Sequence, residues 1–309
     1  MAQSLALVGI GKIARDQHIP AIDHVRELTL AATASRNPKA TVRDVPAYPN
    51  LAALLASEPG IIAVSLATPP QARFDDAATA LTAGKHVMLE KPPGATLSEV
   101  HALEAMAERA GLTLFATWHS REAAAVDAAR DWLADRNLTS VKITWKENVR
   151  QWHPGQEWIW EAGGLGVFDP GINALSVLTA ILPHAVHVSE ANLHFPSNRD
   201  TPISAELTFD GPSGALVSAE FDWLEQGSPR WTIEIDTREG YATLSEGGAR
   251  FTPVDGDEVA GADEEYRRLY DRFARLIASG KSDVDLAPLR HVADAFTLGR
   301  RVQAPAFEW

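Results

Sequence analysis

The chain has 309 residues, 45% hydrophobic and 22% charged, a balance found in globular proteins with one or two cores and not in fibrous or largely disordered ones. Its 28 Lys and Arg against 41 Asp and Glu give a formal charge of −13. There is no long basic run, which argues against a nucleic-acid partner, because phosphate neutralisation needs clustered cations. The absence of cysteine excludes disulfides, thiolate metal sites, iron–sulfur clusters and cysteine nucleophiles.

Met1-Ala2-Gln3-Ser4 runs straight into an apolar strand, without the basic start and small-residue cleavage site of a signal peptide. The most apolar later segment, 167–182, is interrupted by Asp169, Pro170, Gly171 and Asn173 and falls short of a bilayer-spanning run of about 20 residues. The expectation is a cytoplasmic protein with no membrane partner.

From residue 5 to about 115, short apolar runs at 5–9, 28–34, 61–67, 86–90 and 112–117 alternate with helix-like stretches that include 13–24, 75–83 and 97–110. Continuous apolar strands separated by helices predict a parallel sheet covered on both faces, an α/β domain over residues 1–118. All nine tryptophans lie at or beyond Trp118, and the later strands alternate. In 141–149 the positions Val141, Ile143 and Trp145 are apolar, whereas Lys142, Thr144, Lys146 and Asn148 are polar. Segments 203–210, 215–223 and 231–236 repeat the pattern. Period-two alternation predicts a mostly antiparallel open sheet with one wet face, hence an α+β domain over 119–309. Residues 264–279 read as an amphipathic helix with Tyr266, Leu269, Phe273 and Ile277 on one stripe, and this C-terminal helical segment is a candidate to pack back on the first domain.

Gly9-Ile10-Gly11-Lys12-Ile13-Ala14 follows the first strand and opens the first helix, matching G-x-G-x-x-A. The first glycine permits a tight turn, the second lets a pyrophosphate approach the backbone, and Ala14 allows helix to pack closely on strand. At the first strand–helix junction of an alternating β/α domain, this predicts dinucleotide binding. The second strand ends at Ser35-Arg36-Asn37, where an NAD enzyme places a carboxylate on the ribose 2′-hydroxyl. Ser35 and Arg36 suit a 2′-phosphate instead, so NADP is the expected preferred cofactor, with NAD as the alternative. The cofactor-contacting set is read as Gly9, Gly11, Lys12, Ile13, Ser35, Arg36, Thr68, Glu90 and Lys91.

Together with this turn, Glu90-Lys91-Pro92 after the fourth apolar run and Gly163-Gly164 followed by Asp169-Pro170-Gly171-Ile172-Asn173 make the chain resemble the Gfo/Idh/MocA oxidoreductase family over nearly its whole length. The resemblance implies a Rossmann half followed by an open-sheet α+β half, and a cis Lys91–Pro92 peptide. Many members carry His where this chain has Asn173. Among the family's branches the chain is most similar to sugar 1-dehydrogenases acting on L-arabinose and D-galactose, for which Lys91, Asp169 and Asn173 are the implied catalytic residues. Other members act on inositol and other polyol or carbonyl substrates, and some relatives are non-catalytic NAD(P)-binding regulators; the intact Lys91 and Asp169 favour an enzyme.

Oxidising an anomeric carbon to a lactone needs hydride removal from C1, a base for the hydroxyl proton and a partner for the charge developing on oxygen. Lys91 follows the carboxyl end of a parallel strand, the edge where ligands bind. Asp169 is read as the general base, with Lys91 tuning it. The competing reading of Asp169-Pro170 is a helix N-cap. Asn173, one turn on, positions the C1 oxygen and cannot itself titrate. Glu147 shares a strand face with Val141, Ile143 and Trp145, so its carboxylate points to the covered side and needs either a polar ligand or a buried cation. Trp152, His153 and Trp231 suit a sugar, whose C–H faces lie on indoles, although core packing competes for Trp231. His119 follows the last strand of the first domain and completes the candidate substrate set. His184 and His187 fall in an expected loop after Pro183, and no metal site, nucleophile elbow or P-loop is read from the sequence. The outer sheet face carries Lys142, Glu206, Glu220 and Glu234, compatible with a monomer or a homodimer.

Overall fold

The computed structural model describes residues 2–42 and 44–309. The chain divides into two units. One takes the chain as far as His119 together with Tyr266–Leu286, and the other takes Ser120–Glu265 with Ala287–Trp309.

The first unit is built on β1 (Gln3–Val8), β2 (Leu28–Ala34), β3 (Ala47–Tyr48), β4 (Ala63–Leu66), β5 (His86–Leu89) and β6 (Leu114–Ala116). They form one six-stranded sheet in the order β3-β2-β1-β4-β5-β6, with every neighbouring pair parallel. Its helices are α1 (Ile19–His24), α2 (Leu51–Ser57), α3 (Pro70–Thr82) and α4 (Leu97–Ala110). Parallel strands sit in a sheet covered on both sides, and here Ala6, Val8, Val64, Val87 and Leu89 face one core while Leu5, Met88 and Phe115 face another. Local chemistry sets the helix ends. The α4 start is a capping box of Thr96 and Glu99, and Gly111 closes the helix at φ +64.

Three elements differ from expectation. The first helix opens with a π-helical turn over Ala14–His18, which brings His18 inward. The third helix starts at Pro70 rather than near 75, because Pro70 occupies the first helical position. The α2 helix, capped by Asn50 accepting from the Ala53 amide, has no counterpart among the helices expected from the sequence.

The second unit contains α5 (Val126–Leu133), β7 (Leu138–Lys146), α6 (Val149–Trp152), α7 (Phe168–Ile181), β8 (His187–Pro196), β9 (Ser204–Asp210), β10 (Leu216–Asp222), β11 (Arg230–Thr237), β12 (Gly240–Ser245), β13 (Arg250–Pro253) and β14 (Val259–Ala260). Then α8 (Glu265–Ser279) returns to the first unit, and α9 (Ala287–Leu298) and β15 (Arg300–Ala304) finish the second. Nine strands form a mixed sheet, β14-β13-β12-β11-β7-β10-β9-β8-β15. Only β7–β10 and β8–β15 pair in parallel. His187 opens β8 and does not lie in the loop expected for it.

Alternation holds strand by strand: in β9 every second residue is buried. The buried face of β7, β10 and β11 carries Val141, Ile143, Trp145, Ala219, Phe221, Ile233 and Ile235. The α7 helix lies almost directly on this face, since a Cβ on Gly171 would come within 3.2 Å of the Phe221 ring. On α8, Tyr266, Leu269, Tyr270 and Phe273 cover Leu5, Met88 and Phe115 of the first unit. No helix among the described residues is long and apolar enough to cross a membrane.

Candidate active site

In the first unit the candidate residues gather at the carboxyl ends of neighbouring strands. Gly9 and Gly11 follow β1, Ser35 and Arg36 follow β2, Thr68 follows β4, and Glu90 and Lys91 follow β5. Gly9 has φ +91, and a Cβ there would stand 2.8 Å from the Ala67 carbonyl carbon and the Thr68 nitrogen, whereas a Cβ on Gly11 would meet nothing within 4 Å. The first glycine is therefore demanded by the protein's own backbone, and the second leaves an open approach. That is the cradle a dinucleotide pyrophosphate requires. Lys12 and Ile13 are exposed beside it, and Lys12 pairs with Asp16. Arg36 is exposed just past β2.

Glu90 is only 5% exposed. Tyr266 donates to its Oε1, and Nε2 of His18 lies 3.5 Å from the same oxygen. Nδ1 of His18 is 2.7 Å from the Tyr270 hydroxyl, which is 2.9 Å from the Ser65 hydroxyl. His119 stacks on Tyr266 with ring centroids 5.4 Å apart. Burial alone would raise the Glu90 carboxyl, but hydrogen bonding and charge from His18, with His119 and Lys91 nearby, hold it well below the usual carboxylate range. Burial in turn pushes the Tyr270 hydroxyl up, against the hydrogen bond from Ser65. The Lys91–Pro92 peptide is cis. Sequence reasoning overlooked this network because His18, Tyr266 and Tyr270 meet Glu90 from distant parts of the chain. It also missed Arg73, which stands on the buried stripe of α3 with Pro70, Ala77, Ala80 and Leu81; a charge at a helical core position was the available signal.

In the second unit Glu147, Trp231, Trp152, His153 and Asp169 form one linked cluster. Glu147, 5% exposed, lies one residue past β7, where its amide donates to the Asp222 carbonyl and keeps the side chain on the buried face. The Trp231 Nε1 donates to Oε2 at 3.0 Å, and Trp223 Nε1 stands 3.4 Å from Oε1. Trp231 pairs in register with Trp145, their rings stacked at 6.1 Å. Its ring also meets Trp152 at 5.5 Å, and Trp152 remains 37% exposed. His153 sits 5.4 Å from Trp223, with Nε2 3.3 Å from Oδ2 of Asp169.

Asp169 is 3% exposed and does not serve as the helix cap. The α7 helix begins at Phe168 with Val167 at its N-cap, which puts Asp169 inside the first turn. The preceding loop is packed tightly: a Cβ on Gly164 would fall 2.4 Å from the Trp158 carbonyl oxygen. Asn173 is one turn further along α7 and half-buried. The segment carrying Trp152 and His153 is held by the last residues, since Phe307 packs on Trp160, Arg150 stands over the Phe307 ring, and Arg150 donates to the Glu308 carbonyl. Among the described residues no group of three or more His, Cys, Asp or Glu is arranged to hold a metal ion.

A family model described as an oxidoreductase family with an NAD-binding Rossmann fold matches residues 4–117, and the chain belongs to this Gfo/Idh/MocA family of oxidoreductases. It is 46% identical to a galactose 1-dehydrogenase of Pseudomonas fluorescens over 98% of each chain. It is 26% identical to an NADP-dependent D-xylose 1-dehydrogenase of Haloferax volcanii over 89% of each. The crystal structure of D-galactose 1-dehydrogenase from Rhizobium etli superposes with a TM-score of 0.94 at 55% identity, covering 100% of this chain and 99% of that one. A 3-ketoreductase from Actinomadura kijaniata, solved with NADP, shares the fold at a TM-score of 0.86 and 20% identity, covering 99% and 100%.

Proposed function

We propose that the protein is an NAD(P)-dependent aldose 1-dehydrogenase that oxidises the anomeric carbon of a free pyranose, D-galactose or L-arabinose, to its lactone. The observation that carries this reading is the second unit's cluster, two buried carboxylates and an imidazole beside partly exposed indole faces. A pyranose offers hydroxyls that match Glu147 and His153, and a C–H face that lies on Trp152 or Trp231. The likeness to galactose 1-dehydrogenases supports the same substrate class.

When bound, the dinucleotide supplies the acceptor for the C1 hydride. The Gly9–Ile13 turn receives its pyrophosphate, and Ser35 and Arg36 favour NADP through the 2′-phosphate, with Thr68 and Glu90 completing that set. Asp169 is the base for the C1 hydroxyl proton, and Lys91 is the cationic donor that supports negative charge developing on oxygen. Asn173 orients that oxygen through its amide. Glu147 is aimed by two indole N–H groups and accepts from a ring hydroxyl, and His119 is a further hydroxyl partner. The test is a purified sample given NADP or NAD and a panel of aldoses. Appearance of reduced nicotinamide with galactose or arabinose, and lactone as product, is expected; silence across the panel overturns the reading.

A further inference from the structure

Arg73 is 2% exposed on α3, and the two terminal nitrogens of its guanidinium donate to three backbone carbonyls. Nη1 donates to the carbonyls of Glu90 and Pro92, and Nη2 donates to that of Thr68. The first two acceptors bracket Lys91 in the chain. The third belongs to the turn after β4, whose backbone at Ala67 and Thr68 is the wall that Gly9 approaches. Burying a guanidinium is costly unless its donors are satisfied, and a methionine or leucine would fill the apolar stripe of α3 without that cost. What the guanidinium adds is a rigid planar fork whose donors have fixed relative directions, here tying the Lys91 segment to the wall of the glycine turn. The Glu90 side chain is anchored separately by Tyr266 and His18, so the backbone on which Lys91 rides is fixed from two sides.

We infer that Arg73 is a positioning residue for Lys91, setting the place of its ammonium relative to the dinucleotide turn through the carbonyls of Glu90, Pro92 and Thr68. The inference rests on the reading of Lys91 as a catalytic residue. A lysine at position 73 could reach one or two of the three carbonyls but lacks the planar fork, and a methionine reaches none. Displacing a reacting group by about an ångström costs on the order of 100-fold in rate, and the loss falls on turnover rather than on binding.

The experiment is a double-mutant cycle in the full chain between Arg73→Met and Lys91→Met, with Arg73→Lys as a second variant in case Arg73→Met does not fold. Turnover of galactose with NADP, sugar KM and NADP affinity by titration calorimetry are measured for each. In the wild-type background, Arg73→Met is expected to lower kcat by about 100-fold and Arg73→Lys by about tenfold, with KM and NADP affinity little changed. In the Lys91→Met background neither should lower the residual rate further, because residues acting through one group are non-additive. Equal losses in both backgrounds, a KM effect without a kcat effect, or wild-type turnover in the Arg73 variants overturns the inference. Undiminished turnover in Lys91→Met alone overturns the reading of Lys91, and the assignment of Arg73 falls with it.

Discussion

The two glycines of the dinucleotide turn should separate cleanly on alanine substitution. At Gly9 the backbone sits at φ +91, which costs an L-residue about 1–2 kcal/mol. The added methyl would also lie 2.8 Å from the Ala67 carbonyl carbon and the Thr68 nitrogen, backbone atoms that Arg73 holds through Thr68. Relieving that overlap adds about 1–3 kcal/mol. Gly9→Ala is therefore expected to destabilise by roughly 2–5 kcal/mol. At ~2–4 °C per kcal/mol this lowers the melting temperature by roughly 4–20 °C. At Gly11 a Cβ meets nothing within 4 Å and the backbone lies outside the left-handed region. Gly11→Ala is expected to leave stability unchanged or raise it by about 0.4–1 kcal/mol, through a less flexible unfolded chain. Its methyl instead fills the space a pyrophosphate needs, so NADP affinity should drop tenfold or more, at about 1.4 kcal/mol per decade. Thermal melts of the ligand-free protein and calorimetric NADP titrations read the two effects independently. Gly9→Ala melting at the wild-type temperature, or Gly11→Ala binding NADP as tightly as wild type, would refute the reasoning.

Asp169→Asn keeps the size of the side chain and an acceptor for His153 but cannot take a proton. It should lower kcat by about 10²–10⁴-fold while sugar KM changes little, and steady-state kinetics will show it. Arg36→Ala should weaken NADP by about 10–100-fold, the value of a lost charge-assisted hydrogen bond, and leave NAD nearly unaffected; titration of both cofactors checks this. Glu90 titrates lower in the folded state than in the unfolded chain. Its ionisation therefore contributes stability that is fully present above the unfolded carboxyl pKa, about 4.3, and is lost as pH falls below it toward the folded value. Denaturant midpoints of Glu90→Gln measured from neutral pH downward should accordingly fall less steeply below that pH than those of the wild type.

The parallel sheet of the first unit was legible because its strands are continuous apolar runs at regular spacing, and the second sheet because Val141, Ile143 and Trp145 alternate with polar neighbours. Glu147 could be placed from the same alternation, since the side of a strand continues past the last ladder hydrogen bond. What escaped depended on distant partners. The π-helical turn that swings His18 inward has no period of its own in the sequence, and it places His18 against Tyr270, far along the chain. The cap reading that competed with the general-base reading of Asp169 rested on Asp-Pro often starting a helix. The helix instead starts at Phe168, two residues before a cap at Asp169 would start it, and the carboxylate meets His153, a partner that the local Asp-Pro pattern does not reveal. Short α2 was missed although Asn50, its cap, was visible.

The return of α8 to the first unit has a consequence for synthesis. The cluster that holds Leu5, Met88 and Phe115 lacks Tyr266, Leu269, Tyr270 and Phe273 until these leave the ribosome, after all of Ser120–Glu265 has been translated. At roughly 5–20 residues per second that interval is about 7–30 s, during which this face of the nascent sheet has Ala21, Ile22 and Val25 against it but not the α8 side chains. A fragment ending near residue 119 would leave that face only partly covered and should aggregate, so the dinucleotide half is obtained by expressing the whole chain or by appending 266–286 to it.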